Sequence, residues 1–215
     1  SAASDVYKRQ VKVDPRTYTI IKAAKKMAET SHGKFDISIG AVTNLWRIGD
    51  DVARLPGKEE IEAALPYINY RHIHLNDKDR TVFIEKGMTL ELGAISKGYI
   101  ADGVKTILKK HRVNTAIINL GGNVLVLGTS PKNPKEGWNV GVQNPDQVRG
   151  DTVGTVHLKD QSIVTSGIYE RFLEVNGKKY HHIIDPKTGY PVENNISGVT
   201  VYTCLLYTSD AADER

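Results

Sequence analysis

The chain has 215 residues, 40% hydrophobic and 25% charged, enough for one large or two small globular domains with a real core. The net charge of +4 comes from 29 Lys and Arg against 25 Asp and Glu. That bias is mild and lacks the dense Lys/Arg run of a nucleic-acid binder, so nucleic acid is not an expected partner and a small anionic ligand suits the charge equally well. No apolar run is long enough to span a membrane.

The two ends carry a separate signal. Residues 1–10 read SAASDVYKRQ and residues 204–213 read CLLYTSDAAD, and the two can be coded by opposite strands of one DNA segment. Unrelated protein termini do not agree in this way. The expectation is that 1–10 and 204–215 are non-native, adapter-derived sequence, and that 11–203 is part of a domain open at both ends. The single cysteine, Cys204, then says nothing of redox compartment.

Residues 17–29 place Ile20, Ile21, Ala24, Met27 and Ala28 at helical spacing with lysines opposite, which predicts a helix packed on a sheet. Ser31, His32 and Gly33 break it, and His32 reads as a solvated loop histidine. Residues 35–39, FDISI, alternate apolar and polar and predict a short strand leading into Gly40, Ala41, Val42, Leu45 and Trp46. Asp36 and Asn44 suit capping and turn formation. Residues 50–57 read as a polar loop and 58–65 as a short helix closed by Pro66. Residues 67–75 and 80–84 predict a hairpin around the turn at 76–79. His72 and His74 would share one strand face, and with no third ligand in view they read as exposed histidines rather than a metal site.

Residues 91–102, ELGAISKGYIAD, organise the rest. Thr89, Leu90 and Leu92 have strand character. Gly93 and Gly98 permit a positive φ or a close approach, and Ser96 is placed to cap a helix through Tyr99, Ile100, Val104, Ile107 and Leu108. A helix N-terminus preceded by glycine offers free N–H groups to a phosphate, with Lys97 as a mobile cation. An ordinary strand, turn and helix with a surface lysine fits the same spacing.

Beyond it, residues 115–120 and 124–127 predict strands joined at Gly121 and Gly122, either as a bulge or as a close approach to a ligand. Residues 138–142 and 154–158 read as edge or hairpin strands and 162–166 as a further strand. Residues 172–175 and 180–184 pair across Asn176 and Gly177, the strongest short hairpin signal in the chain. Residues 196–202 form a last strand. Strands outnumber helices, and helices sit between groups of strands, so the fold class is α+β with mixed sheets and inserted helices.

Four segments, in order, resemble one family: residues 35–49 (FDISIGAVTNLWRIG), 91–102, 118–128 (INLGGNVLVLG) and 181–192 (HHIIDPKTGYPV). They resemble the FAD:protein FMN transferases, the ApbE family. The resemblance implies an enzyme that moves FMN from FAD to a threonine of a target protein with Mg2+ and releases AMP. It implies that Lys34, Phe35 and Asp36 line the flavin site, that Glu91 and Lys97 contact FAD, and that the glycine pair at 121 and 122 lies beside the active site. The family commonly has Asp where this chain has Glu91. It further implies that Ala94 offers Mg2+ its backbone carbonyl, with an Asp and a Thr of a later DA…T segment as the remaining ligands. The pattern of one histidine, two aliphatic residues and Asp-Pro matches His182 rather than His181, making His182 the general base and Ile183 a contact to the adenine side. Lys97, Ala94, Asp36 and His182 are expected to share one cleft. The partners implied are FAD and a flavin-accepting protein with a threonine-containing motif. The location implied is the cell envelope, as a membrane-anchored lipoprotein facing outside or periplasm.

Apart from the resemblance, a histidine beside a turn braced by Asp185 and fixed by Pro186 suits a base near neutral pH, whereas a His-His pair on a strand also suits a structural or exposed role. Two other functions stay open: a flavin-carrying electron-transfer module and a non-catalytic FAD-binding protein. The resemblance implies that the acceptor threonine of such flavin targets lies in a D-G-A/S-T type motif, which Val164, Thr165, Ser166 and Gly167 match only loosely, against self-flavinylation.

Overall fold

Asp14 accepts the Arg16 N–H at 2.9 Å and Pro15 presets φ, so the first helix, α1 (Pro15–Thr30), begins there. Tyr18, Ile21, Ala24 and Ala28 form its buried stripe. His32 and Gly33, at φ 54° and 77°, turn the chain out of it. The computed structural model describes residues 10–147 and 150–204. The terminal segments expected to be non-native lie outside the described residues except for Gln10, whose side chain takes the Thr81 hydroxyl at 3.2 Å, and Cys204, an exposed free thiol.

The chain divides into two compact units. The first is Ser1–Leu92 with Arg171–Glu193, and the second is Gly93–Glu170 with Asn194–Arg215. The first unit opens with β1 (Val11–Lys12) and α1, followed by α2 (Gly40–Trp46), α3 (Lys58–Ala64), β2 (His74–Asn76) and β3 (Thr81–Phe83). The three strands form an antiparallel sheet in the order β1-β3-β2.

The expected hairpin is therefore shorter than the sequence suggested. Two 3-10 turns, Leu65–Tyr67 with Pro66 inside it and Tyr70–His72, take up much of the expected first arm, and strand begins only at His74. His72 ends a turn and His74 starts a strand, so the two share no strand face. His72 Nδ1–H donates to Glu85 Oε2 at 3.0 Å and its Nε2 accepts from Asn69 at 3.1 Å, while the His74 ring lies 5.6 Å from that of Phe83. Asn44 lies inside α2 and exposed, so it caps nothing.

The second unit opens on α4 (Gly93–Lys110). Helix starts three residues before Ser96, so Ser96 is not its N-cap, and Gly98 lies within the helix and buried. Next come β4 (Ala116–Leu120), β5 (Asn123–Leu127), β6 (Trp138–Gln143), β7 (Thr152–Leu158) and β8 (Ser162–Gly167). The chain returns to the first unit for the hairpin β9 (Phe172–Val175) and β10 (Lys178–His181), joined by Asn176 and Gly177 at φ 50° and 77° as a two-residue turn of this type requires. The last strand, β11 (Gly198–Thr203), belongs to the second unit.

In the second unit the sheet order is β11-β8-β5-β4, with every pairing antiparallel. β5 is central and buried on both faces. Leu125 and Leu127 pack with Ala101, Ile118 and Val164 on the α4 side, and Val126 packs with Leu158 and Ile163 against the β6–β7 hairpin. The result is three layers: helix, sheet and hairpin. Gly121 and Gly122, at φ 65° and 101°, form the two-residue turn between β4 and β5, not a bulge. The class is α+β. No helix among the described residues is long and apolar enough to cross a membrane.

Candidate functional site

Residues 35–39 are not a strand. Phe35, Asp36, Ile37 and Ser38 are all buried, so the alternation of polar and apolar side chains does not alternate between solvent and core. The polar pair is satisfied internally instead. Asp36 Oδ1 accepts the Ser38 N–H at 2.9 Å and the Ser38 hydroxyl at 2.6 Å, and Oδ2 accepts the Tyr70 N–H at 2.9 Å. Ser38 Oγ accepts the Asn69 N–H at 2.8 Å. Asp36 is thus the keystone of a turn, while Lys34 beside it is exposed. The Ile37 carbonyl takes the Glu91 N–H at 2.7 Å, and Ile39 forms a single parallel bridge with Thr89. Gly40 permits this approach, since a Cβ there would sit 2.5 Å from the Thr89 carbonyl oxygen. Exposed Glu91 is thereby brought beside the turn that carries Lys34, Phe35 and Asp36.

The two adjacent histidines have different environments. His181 is buried, its Nε2–H donates to the Val192 carbonyl at 2.8 Å and its Nδ1 accepts the Ile183 N–H at 3.3 Å. Both ring nitrogens therefore serve the chain's own backbone. His182 is half-buried and donates Nδ1–H to the Arg171 carbonyl at 3.1 Å, which places the neutral ring's lone pair on Nε2. Its backbone N–H binds the same carbonyl at 3.2 Å, so ring and main chain are fixed together. Ile183, also half-buried, accepts the Val192 N–H at 3.0 Å.

Asp185 braces the following turn as its sequence suggests: Oδ1 accepts the Lys187 N–H at 2.9 Å and its carbonyl accepts the Gly189 N–H at 2.8 Å. Gly189, at φ 72°, packs where a Cβ would lie 2.5 Å from Ile61 Cγ2. Trp46 joins the core of Val42, Ile61 and Ile184 and stacks near Tyr180 and Tyr190. Segments 35–49 and 181–192 therefore share one core in the first unit.

In the second unit, Ala94 and Lys97 lie in the opening turns of α4, three residues apart and on neighbouring parts of its surface. Lys97 Nζ reaches Asn123 Oδ1 at 3.5 Å. Asn123 is buried and follows the glycine turn, which is tied by Gly122 N–H to Asn119 Oδ1 at 2.9 Å. The organising lysine and the glycine pair thus meet through Asn123, which sequence reasoning passed over although it directly follows the pair. Ser38, Asn69, Tyr70 and Arg171 were missed as well, because their roles run through backbone atoms or long sequence separations.

Mg2+ takes octahedral oxygen ligands. Ala94, in the first turn of α4, has only a neutral backbone oxygen to offer, and among the described residues no three of His, Cys, Asp and Glu cluster to hold a metal.

A family model described as the ApbE family matches residues 1–214. The chain belongs to the ApbE family. It is 38% identical to the FAD:protein FMN transferase of Klebsiella pneumoniae (strain 342), covering 89% of this chain and 58% of that protein. It is 36% identical to the FAD:protein FMN transferase of Treponema pallidum (strain Nichols), covering 94% of this chain and 59% of that protein. The chain thus spans somewhat under three fifths of the length of these relatives. The crystal structure of the ApbE protein of Thermotoga maritima superposes with a TM-score of 0.88 at 36% identity, over 100% of this chain and 70% of that one. The flavin transferase ApbE of Vibrio cholerae does so with 0.80 at 26% identity, over 95% and 65%.

Proposed function

We propose that this ApbE-family chain carries the FAD-handling part of an FAD:protein FMN transferase. In the reaction a threonine hydroxyl of a target protein attacks the phosphorus on the FMN side of the FAD pyrophosphate. A new P–O bond forms, the bridging P–O bond breaks, AMP leaves with the bridging oxygen, and the threonine proton goes to a base. The observation that carries this reading is His182, whose Nδ1–H is held on the Arg171 carbonyl so that Nε2 is the basic nitrogen. Glu91 and the turn at residues 34–36 supply FAD contacts, with Ile183 on the adenine side, and Lys97 is a cation for phosphate oxygens. The proposal includes Mg2+, held in part by the Ala94 carbonyl, which when bound neutralises phosphate charge. The acceptor is proposed to present its threonine in a short motif, and the parent protein to work at the cell envelope as an anchored lipoprotein.

Retention of flavin on the chain itself is disfavoured. Thr165 lies within β8, paired with Thr200 of β11 and with the two hydroxyls bonded at 2.9 Å, rather than in a loop. The test is to incubate FAD and Mg2+ with the chain, and with the chain extended to the length of its relatives, in the presence of an acceptor protein. FAD binding by both and AMP release by the extended chain is the expected result. Stable FAD binding with no AMP release from the extended chain would make the protein a carrier.

A further inference from the structure

The carboxylate of Asp36 is taken up largely by its own chain. It is buried and takes three donors from its own chain: the Ser38 N–H, the Ser38 hydroxyl and the Tyr70 N–H, at 2.6–2.9 Å. The Ser38 hydroxyl, itself fully buried, spends its proton on Asp36 and its lone pair on the Asn69 N–H at 2.8 Å. Asn69 then orders the turn that follows, because Oδ1 accepts the Arg71 N–H at 3.1 Å and Nδ2 donates to His72 Nε2 at 3.1 Å. The Tyr70 ring closes the arrangement from the other side, lying 3.3 Å from where a Cβ on Gly33 would be. The segment 33–38 is therefore clamped to residues 69–72 by one carboxylate, one hydroxyl and one ring, across more than thirty positions of sequence.

We infer that Asp36 and Ser38 are positioning residues: they turn the Asp36 carboxylate inward and fix the 34–36 backbone, with exposed Lys34, as the surface offered to FAD. This rests on the proposed FAD-handling role. The physical reason is economy of donors and acceptors. A carboxylate with three short bonds to its own chain has little acceptor capacity left for a ligand. A clamped loop loses less conformational freedom on binding than a loose one, so clamping raises affinity without adding a contact. Asn69 acts one step further out, by holding the turn whose Tyr70 N–H the carboxylate needs.

The test compares Ser38→Ala with Ser38→Thr and Asp36→Asn in the full chain, by flavin titration, thermal melting and amide hydrogen exchange. Ser38→Ala removes the hydroxyl that joins Asp36 to Asn69 but no atom proposed to reach FAD. The expected result is FAD affinity weakened by about tenfold or more, faster exchange at the Asn69 and Tyr70 amides, and recovery of affinity in Ser38→Thr. Asp36→Asn should weaken FAD similarly, because one amide proton must then face the Tyr70 or Ser38 N–H. Unchanged FAD affinity in Ser38→Ala, with only a lowered melting temperature, would overturn the inference and leave the clamp purely structural. So would weak binding in Asp36→Asn alone, which would make the carboxylate a direct ligand. If the unaltered chain bound no FAD, the proposed function would fail, and exchange at Asn69 and Tyr70 unchanged by Ser38→Ala would separately dismiss the clamp.

Discussion

The Trp46 indole Nε1–H donates to the Gly189 carbonyl at 2.9 Å, joining residues 143 positions apart. This bond ties the end of α2 to the turn after His182, so two of the family's segments are held in one core of the first unit. Trp46→Phe keeps most of the apolar surface but leaves the Gly189 carbonyl without this donor. A buried acceptor left unmet costs about 1–3 kcal/mol. Chemical denaturation should report a loss in that range, and a loss below half of the lower bound would mean that packing alone holds the turn.

Gly189 is a second point of control over the same turn. Its φ is 72°, and an added Cβ would approach Ile61 Cγ2 to 2.5 Å. Gly189→Ala therefore incurs both backbone strain and overpacking, each on the order of 1–3 kcal/mol. Gly177, at φ 77° with nothing near the added Cβ, meets only the first cost. Gly189→Ala should unfold at clearly lower denaturant than Gly177→Ala, and equal midpoints would show that the turn at 189 gives way freely.

Some of this organisation was legible in the sequence, and the failures have physical causes. Asn176-Gly177 reads as a hairpin turn because a two-residue turn with both φ values positive selects those residue types. The helix at residues 17–29 is legible from its period, as one face meets the core throughout. The segment at 35–39 misled because period-two alternation assumes that polar side chains face water. Here Asp36 and Ser38 face the core and are satisfied by backbone N–H groups of Asn69 and Tyr70, some thirty residues away. His181 and His182 could be told apart only by motif, since the Val192 and Arg171 carbonyls that distinguish them are set by tertiary pairing.

Acid should act on the first unit through Glu60. Arg54 bonds both its carboxylate oxygens, at 2.6 and 2.7 Å, and the Gly57 N–H adds a third bond at 2.8 Å. The Arg54 guanidinium first and the Gly57 N–H second lower the Glu60 carboxyl from an ordinary 4.5 to about 2. A carboxyl lowered on folding contributes stability above its unfolded pKa, and that contribution is lost as pH falls through the folded value. The loss should therefore run from about pH 4.5 down to pH 2, and high salt should shrink it because the pair is exposed. Urea melts across that window should show a shallower acid dependence in Glu60→Gln than in the unaltered chain. Identical slopes would remove Glu60 from the acid response.

The adjacent histidines should separate chemistry from architecture. His181 donates to the Val192 carbonyl and accepts from the Ile183 N–H, so His181→Ala strands two backbone groups in a buried strand end. That variant should lose stability by about 1–3 kcal/mol for an unmet group, and lose flavin transfer only as far as the fold is weakened. His182 holds Nδ1–H on the Arg171 carbonyl, with Nε2 as the basic nitrogen, so His182→Ala should lower turnover far more than it lowers melting temperature or FAD affinity. Removal of a general base lowers turnover by about 10²–10⁴-fold, and the acid limb of the pH–rate profile assigned to it should vanish. AMP release and melting temperature, measured together in the chain extended to its relatives' length, decide the matter. Normal turnover in His182→Ala would remove the base from this position, and a stable but inactive His181→Ala would transfer the role to its neighbour.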